Sequence, residues 1–299
     1  MIVTAQRFPD NPIIRPGDCA RIGDNINGPS LIRVPDWVKE RLGKYYLYFA
    51  HHVGSFIRMA YADHLAGPWR VHEAGILDLE QCPQFHDHIA SPDVLVDDKT
   101  RTIRMYFHGV SGFEPAGDPQ QRTSLAVSDD GLRFAPQQAI LGESYFRVWQ
   151  WQESYYAISL NGVLWRSADA QTPFERGNRL NGLPKDTRHS AIMIRERKFW
   201  IAWSAIGDCP ERIFIGAFDA ALDWQDWTLE NVQELLRPKK DWEGANEPLV
   251  ASEIGIINGA ANQLRDPAFF SDDGRDYLVY SVAGESGLAL AELNFEGAS

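Results

Sequence analysis

Histidine, arginine and aspartate recur at the fronts of apolar runs in this sequence. Arg188-His189-Ser190 and Arg265-Asp266-Pro267 each place a titratable side chain beside a guanidinium just before such a run. His88, Ser91 and Asp93 do the same in another stretch, and Asn25, Asn27 and Gly28, then Tyr145 and Arg147, hold corresponding places. His51 and His52, and separately His108, follow the far ends of neighbouring runs. These side chains bind hydroxyls and manage protons. An Asp or Asn at a strand start also caps turns by bonding nearby N–H groups, and an isolated His is usually a satisfied partner. Many polar groups facing one cavity are harder to explain in that way, because each must find a partner.

What could bring these residues together is a weak internal repeat. Each copy has an apolar strand, a strand rich in aromatics and a small-residue strand ending near Asp, with turns between. The first copy runs Pro29–Val34, Tyr45–Ala50 and Ile57–Asp63; the second runs Pro92–Asp97, Thr102–Phe107 and Ser124–Asp129. The third runs Tyr145–Trp149, Tyr155–Ser159 and Gly162–Asp169; the fourth runs Ser190–Ile194, Phe199–Trp203 and Ile213–Asp219. The fifth runs Pro267–Phe270, Asp276–Ser281 and Gly287–Leu293. Asp-Asp-Gly turns at Asp129 and Asp272 support the count, since these residues tolerate positive φ.

Five such units arranged radially leave only short, protected edges, which predicts an all-β, five-bladed β-propeller over residues 1–299 as a single domain. A large β-sandwich is the competing architecture, but it gives no reason for one motif to recur in the same internal order. In a propeller the starts of the inner strands and the ends of the second strands meet at one mouth. Six of the 8 histidines then gather there, counting His86 with His88. A short helix is expected over Asp36–Leu42, capped by Asp36. The long connection from Leu235 to Leu264 is expected to cross the mouth, since long ordered loops tend to be functional.

Composition narrows the partners. With 29 Lys and Arg against 41 Asp and Glu the formal charge is −12, which disfavours nucleic acid and anionic lipid. The 10 Trp, 10 Tyr and 15 Phe serve packing between sheets first and sugar stacking second. The first residues lack a basic-then-apolar leader, and no apolar run reaches the length of a membrane span. The 3 cysteines, at 19, 82 and 209, form no framework or Cys-x-x-Cys pair. The expectation is a cytoplasmic protein with free thiols; the oligomeric state is not legible.

The motifs resemble the five-bladed propeller glycoside hydrolases, in particular glycoside hydrolase family 43. Ala90-Ser91-Pro92-Asp93-Val94 is similar to that family's Ala-Pro-Asp-Val signature, and Asn11-Pro12-Ile13-Ile14 to the lead-in before the first blade. Met59–Asp63 followed by Leu65-Ala66-Gly67-Pro68-Trp69 is similar to a recurring strand and Gly-Pro-Trp segment. The resemblance implies three carboxylates: a base in the first blade, a pKa-tuning Asp in the second and an acid in the third. Asp93 matches the tuning Asp. Gly28-Pro29 stands where the base's Asp-Pro is expected, with Asp24 and Asn27 the nearest substitutes. Glu143 lies two residues before Tyr145, where the acid is expected, a spacing that keeps one strand face. His189 matches either a proton donor, with an ordinary pKa near neutrality, or a ligand of a central metal or water. No cofactor is otherwise expected; a structural calcium ion in the central channel fits the resemblance but lacks an acidic loop signature.

The expectation is therefore a glycoside hydrolase acting on a small oligosaccharide or terminal sugar. Asp93 and Asp266 are its central carboxylates, Asp24 and Glu143 the alternates, and His189 the acid or its partner. Arg147, Arg188 and Arg265 bind hydroxyls or a substrate carboxylate. Asn27, His52, His88, His108, Tyr145 and Trp149 shape the sugar subsite. Phosphorolysis in a related propeller, with Arg and His holding phosphate, would account for the missing first-blade Asp. A non-catalytic sugar-binding propeller is the third reading.

Overall fold

The computed structural model of the chain describes residues 1–115, 117–195 and 197–297. Five antiparallel sheets follow one another in the sequence, as the repeat predicts. The first blade orders its strands Asn27–Arg33, Tyr45–Ala50, Phe56–Ala62 and Arg70–Val71, and the second His86–Asp97, Thr102–Phe113, Pro119–Ser128 and Ala135–Pro136. The third comprises Arg147–Trp151, Ser154–Ile158, Val163–Ser167 and Glu175–Arg179, and the fourth Thr187–Arg195, Lys198–Ala205, Ile213–Asp219 and Glu230–Leu236. Arg265–Asp272, Arg275–Ser281 and Leu288–Glu296 form the fifth.

Two features go beyond the three-strand motif. Each blade carries a fourth, outer strand, too short or too polar to stand out by its pattern. In the fifth blade that strand is Ile2–Arg7, which pairs antiparallel with Leu288–Glu296 from Ile2↔Glu296 to Arg7↔Ala291. The first strand of the chain thus closes the last blade. Arg7 adds an ion pair to the buried Glu243 at 2.7 Å.

The inner strands lie side by side in a closed ring, each against the next, with Arg265–Asp272 returning to Asn27–Arg33. That circuit excludes a sandwich. Alternation along each strand sends successive side chains to opposite faces, and here both faces are covered by neighbouring blades. Tyr46 and Tyr48 enter the cluster with Ile103 and Phe107 of the second blade. Tyr45, Leu47 and Phe49 enter the one with Phe270 and Val279 of the fifth. The middle strands therefore read as continuous apolar runs, as in any sheet buried on both sides.

The front of the inner strands is irregular in a repeated way. Register shifts fall between Asn27 and Ser30, Ala90 and Asp93, Thr187 and Ser190, and Arg265 and Ala268. Gly28, Ser91 and Asp266 have φ of 58°, 47° and 49°, each followed by proline, and Tyr145 has φ 62°. Proline lacks the N–H that a ladder needs, so it is tolerated at a bulge, and a bulge re-aims nearby side chains.

The helix expected over Asp36–Leu42 is absent; the segment forms turns, with Asp36 accepting from Arg41 at 2.9 Å. Pro35 and Gly43 bracket a stretch too short to repay helix nucleation. The third inner strand begins at Arg147 rather than Tyr145, because Tyr145 occupies the left-handed turn before it. Among the described residues no helix is long and apolar enough to cross a membrane.

Candidate active site

Gly28, Ser91, Tyr145, Arg147, Arg188, His189 and Asp266, drawn from all five blades, line one cavity at the front of the ring. Convergence of the predicted mouth is thus observed for the strand starts. His189 and Asp266 are buried and meet through imidazole Nδ1 and carboxylate Oδ1. The other oxygen, Oδ2, accepts from the Ser281 hydroxyl at 3.0 Å and from the Gly28 backbone N–H at 3.3 Å. The fifth blade therefore delivers a carboxylate to the backbone of Gly28, where the family resemblance asks the first blade for one.

A row of rings continues from this pair. Tyr145 lies 4.3 Å from His189 and 4.1 Å from His108 between ring centroids, and His108 meets His88 edge-on at 6.0 Å. Burial pushes the His108 imidazole well below its ordinary pKa, helped by the nearby His88 and His52. Burial likewise pushes His189 well below the ordinary value, reinforced by the guanidiniums of Arg188, Arg147 and Arg265. Both rings are neutral near pH 7. A neutral His189 facing a carboxylate through Nδ1 donates there and leaves Nε2 as an acceptor, the arrangement of an oriented general base. Tyr145 is raised by burial, so its hydroxyl stays protonated.

Beside the pair lies a buried ion network that the sequence reading missed. Arg188 Nε donates to Glu211 Oε1 at 2.9 Å, and Arg265 reaches Glu211 at 3.2 Å and Glu285 at 2.9 Å. Glu285 also takes Asn25 Nδ2 at 2.6 Å and faces His52 Nδ1 at 3.1 Å. Burial alone would raise the Glu285 pKa, but His52, Arg265 and Asn25 overcome it and bring it down to about 2. Asn27 is buried, with Nδ2 3.4 Å from Asn25 Oδ1. Neither glutamate starts an inner strand: Glu211 precedes the strand Ile213–Asp219, and Glu285 sits in the turn between the strands Arg275–Ser281 and Leu288–Glu296. A lone Glu in an otherwise apolar hairpin was the available signal.

Several expected site residues stand elsewhere. Asp93 does not line the cavity; it staples the second blade to the third, accepting from the Val148 N–H at 2.7 Å and from Arg147 at 3.3 Å. Burial raises its pKa, while Arg147 and the Val148 N–H hold it down. Glu143 is on the outer side of the second blade, opposite Arg122, and pairs with Arg176 at 3.2 Å. Its short strand belongs to the second blade's sheet, so the two-residue spacing does not carry it inward. Asp24 is exposed at the rim. Trp149 is buried between the third and fourth blades with Phe199 and Trp227, because its strand face is an inter-blade face.

No three His, Cys, Asp or Glu side chains among the described residues come together to hold a metal ion. The axial carboxylates already face His189, Arg265 and Arg188, so this donor set does not fit the calcium that the resemblance allows.

The long connection after Leu236 crosses the mouth, as expected. Its backbone carbonyls at Glu253, Gly255 and Ile257 accept from Arg188, Arg265 and Asn25 respectively. Beneath it the axial cavity has a volume of only about 10 Å³, room for about one water molecule.

These features define a five-bladed β-propeller, the fold shared by the family 43 glycoside hydrolases. Among solved structures it is similar to a family 43 β-xylosidase/α-arabinofuranosidase from a compost microbial metagenome, with TM-score 0.62, 13% identity and 94% of each chain covered. It is equally similar to an N-acetylgalactosamine deacetylase from F. plautii, with TM-score 0.62, 11% identity, and 97% of this chain and 95% of that one covered. At such identities the likeness is one of fold, and a fold hosts more than one reaction. No family model matches the chain. By sequence it belongs to the same family as the uncharacterized protein R118 of Acanthamoeba polyphaga mimivirus, at 36% identity over 321 aligned residues, covering 96% of this chain and 89% of that protein.

Proposed function

We propose that the chain is a glycoside hydrolase acting on a small oligosaccharide or terminal sugar at the front of the ring, with His189 and Asp266 as its proton-handling pair. The observation that carries this reading is their buried contact on the propeller axis. Neutral His189 takes a proton from the attacking water through Nε2 as the water oxygen bonds to the anomeric carbon and the glycosidic C–O bond breaks; Asp266 holds the ring and stabilises the imidazolium, which returns the proton to the departing oxygen. A sugar ring needs more room than the cavity offers, since small-molecule sites are typically about 300–1,000 Å³. The stretch 253–255 of the connection must therefore shift, releasing Arg188 and Arg265 to donate to sugar hydroxyls, while Ile257 stays against Asn25 and Gly284.

Phosphorolysis is less well supported. Arg188 and Arg265 are matched by Glu211 and Glu285, and Arg147 by Asp93, so none of these three guanidiniums is left uncompensated to attract phosphate. Sugar binding without turnover is favoured by one observation, the glycine at position 28. Hydrolysis of p-nitrophenyl glycosides and short xylo- and arabino-oligosaccharides separates these readings. Turnover lost in His189→Ala is expected; absence of turnover on every sugar, with binding retained, would leave only the binding protein.

A further inference from the structure

The connection that covers the mouth is unusually apolar on its outside. Leu249, Val250, Ile254 and Ile256 are 66%, 61%, 77% and 37% exposed, four of the twelve large hydrophobic side chains exposed among the described residues. Scattered single apolar residues need no explanation, but a cluster marks a contact surface. Below this cluster is a second cavity of about 270 Å³. Its walls are apolar, formed by Val250, Ile256, Ile257 and Ala260 among others, and Gln263 and Arg265 complete the lining at one end.

Arg265 joins the two sites. The same guanidinium that enters the Glu211 and Glu285 network also borders this cavity. Ile257 joins them again: its carbonyl accepts from Asn25, and its side chain packs over Gly284, next to Glu285. Glu247 and Glu253 also line the cavity and disfavour an anionic occupant. A polar end at the sugar site, apolar walls and carboxylates describe a neutral, amphipathic ligand.

We propose that this cavity is an aglycone subsite, so that the substrate is a glycoside bearing a neutral apolar group rather than a plain oligosaccharide. The inference rests on the reading that the ring front binds sugar, and it adds which class of sugar conjugate binds there. Extending an aglycone along the walls removes its methylenes from water, each worth a several-fold gain in affinity.

The test compares methyl with n-octyl glycosides of xylose, arabinose, glucose and galactose. Dissociation constants are measured by calorimetry on the full chain, below the micelle concentration of each detergent-like ligand, and turnover is measured separately. The expected result is n-octyl binding at least about tenfold tighter than methyl for the preferred sugar, with the ratio falling towards one in Val250→Ser/Ile256→Ser. Both substitutions are at exposed positions, so the fold tolerates them; Ile257→Ala is the second probe and should lower the same ratio. A ratio near one for every sugar, or a ratio unchanged in both variants, overturns the subsite. Turnover without n-octyl preference sinks the subsite but keeps the hydrolase. Selective n-octyl binding that the variants erase, with no turnover anywhere, keeps the subsite and sinks the hydrolase.

Discussion

Asp266 reaches from the fifth blade to the backbone N–H of Gly28 in the first, at 3.3 Å, while its other oxygen faces His189 in the fourth. One carboxylate thus ties three blades at the ring front.

On the proposed reading, Asp266 is a positioning residue for His189. Asp266→Asn is expected to lower kcat/KM by about 10²–10⁴-fold, and His189→Ala by at least as much. The acid limb of the pH profile lies below pH 6.5, because the folded imidazole is held below its ordinary pKa. Removing the anionic partner lowers that pKa further, so the limb in Asp266→Asn moves to lower pH even as the rate falls. A purely structural aspartate would leave the limb in place.

His108 controls an acid sensitivity of the fold. Its pKa in the folded chain lies below the unfolded value of about 6.5. Between these two values the unfolded chain binds the extra proton, so stability is lost as pH falls below about 6.5. Urea midpoints measured from pH 8 to 5 should decline, and the decline should be shallower in His108→Phe, which keeps a ring against Tyr145.

Glu285 anchors the ion network. Glu285→Gln leaves Arg265 without one of its two carboxylate partners and is expected to cost about 3–5 kcal/mol, read as a lowered denaturant midpoint at pH 7. The wild-type contribution is present above the unfolded glutamate pKa of about 4.3 and is lost as pH falls towards about 2. The penalty of the substitution should therefore shrink across that acid window.

Ring closure depends on Arg7. Its partner Glu243 is fully buried and also accepts from Tyr280 and the Lys239 and Lys240 N–H groups. Arg7→Ala strands that charge and is expected to destabilise by about 3–5 kcal/mol. Hydrogen exchange should show the amides of Ile2–Arg7 and Leu288–Glu296 losing protection first.

Gly28→Asp, which writes the family's Asp-Pro into the first blade, should not create a better enzyme. A Cβ at position 28 meets Ser91 Cα at 3.0 Å, and the new carboxylate would crowd Asp266. The expected outcome is a loss of about 1–3 kcal/mol, measured by thermal melting, with no gain in turnover.

The five blades were legible because each inner and middle strand is apolar on both faces and the Asp-Gly turns separate them. The outer strand Ile2–Arg7 was not, since only its pairing with Leu288–Glu296 identifies it. At the site, His189, Asp266, Arg147, Arg188 and Arg265 followed from their places at strand starts. Asp93 lies just past the register shift that follows Ala90, whereas His189 and Asp266 lie within the corresponding shifts of their own strands, so its carboxylate turns into the seam with the third blade. Strand counting cannot register an extra residue of this kind. Glu211 and Glu285 lie in connections, where no periodicity marks a direction.

The pairing of Ile2–Arg7 with Leu288–Glu296 also sets an order of events during synthesis. The fifth blade cannot be completed until residues near 296 have left the ribosome, and Asp266 and Glu285 belong to that blade. Four blades can gather while the polypeptide is still growing, but His189 has no completed fifth blade to meet until residue 296 has been made. A chain cut short of residue 296 is left as an open ring with a bare sheet edge, a form prone to associate with its own kind.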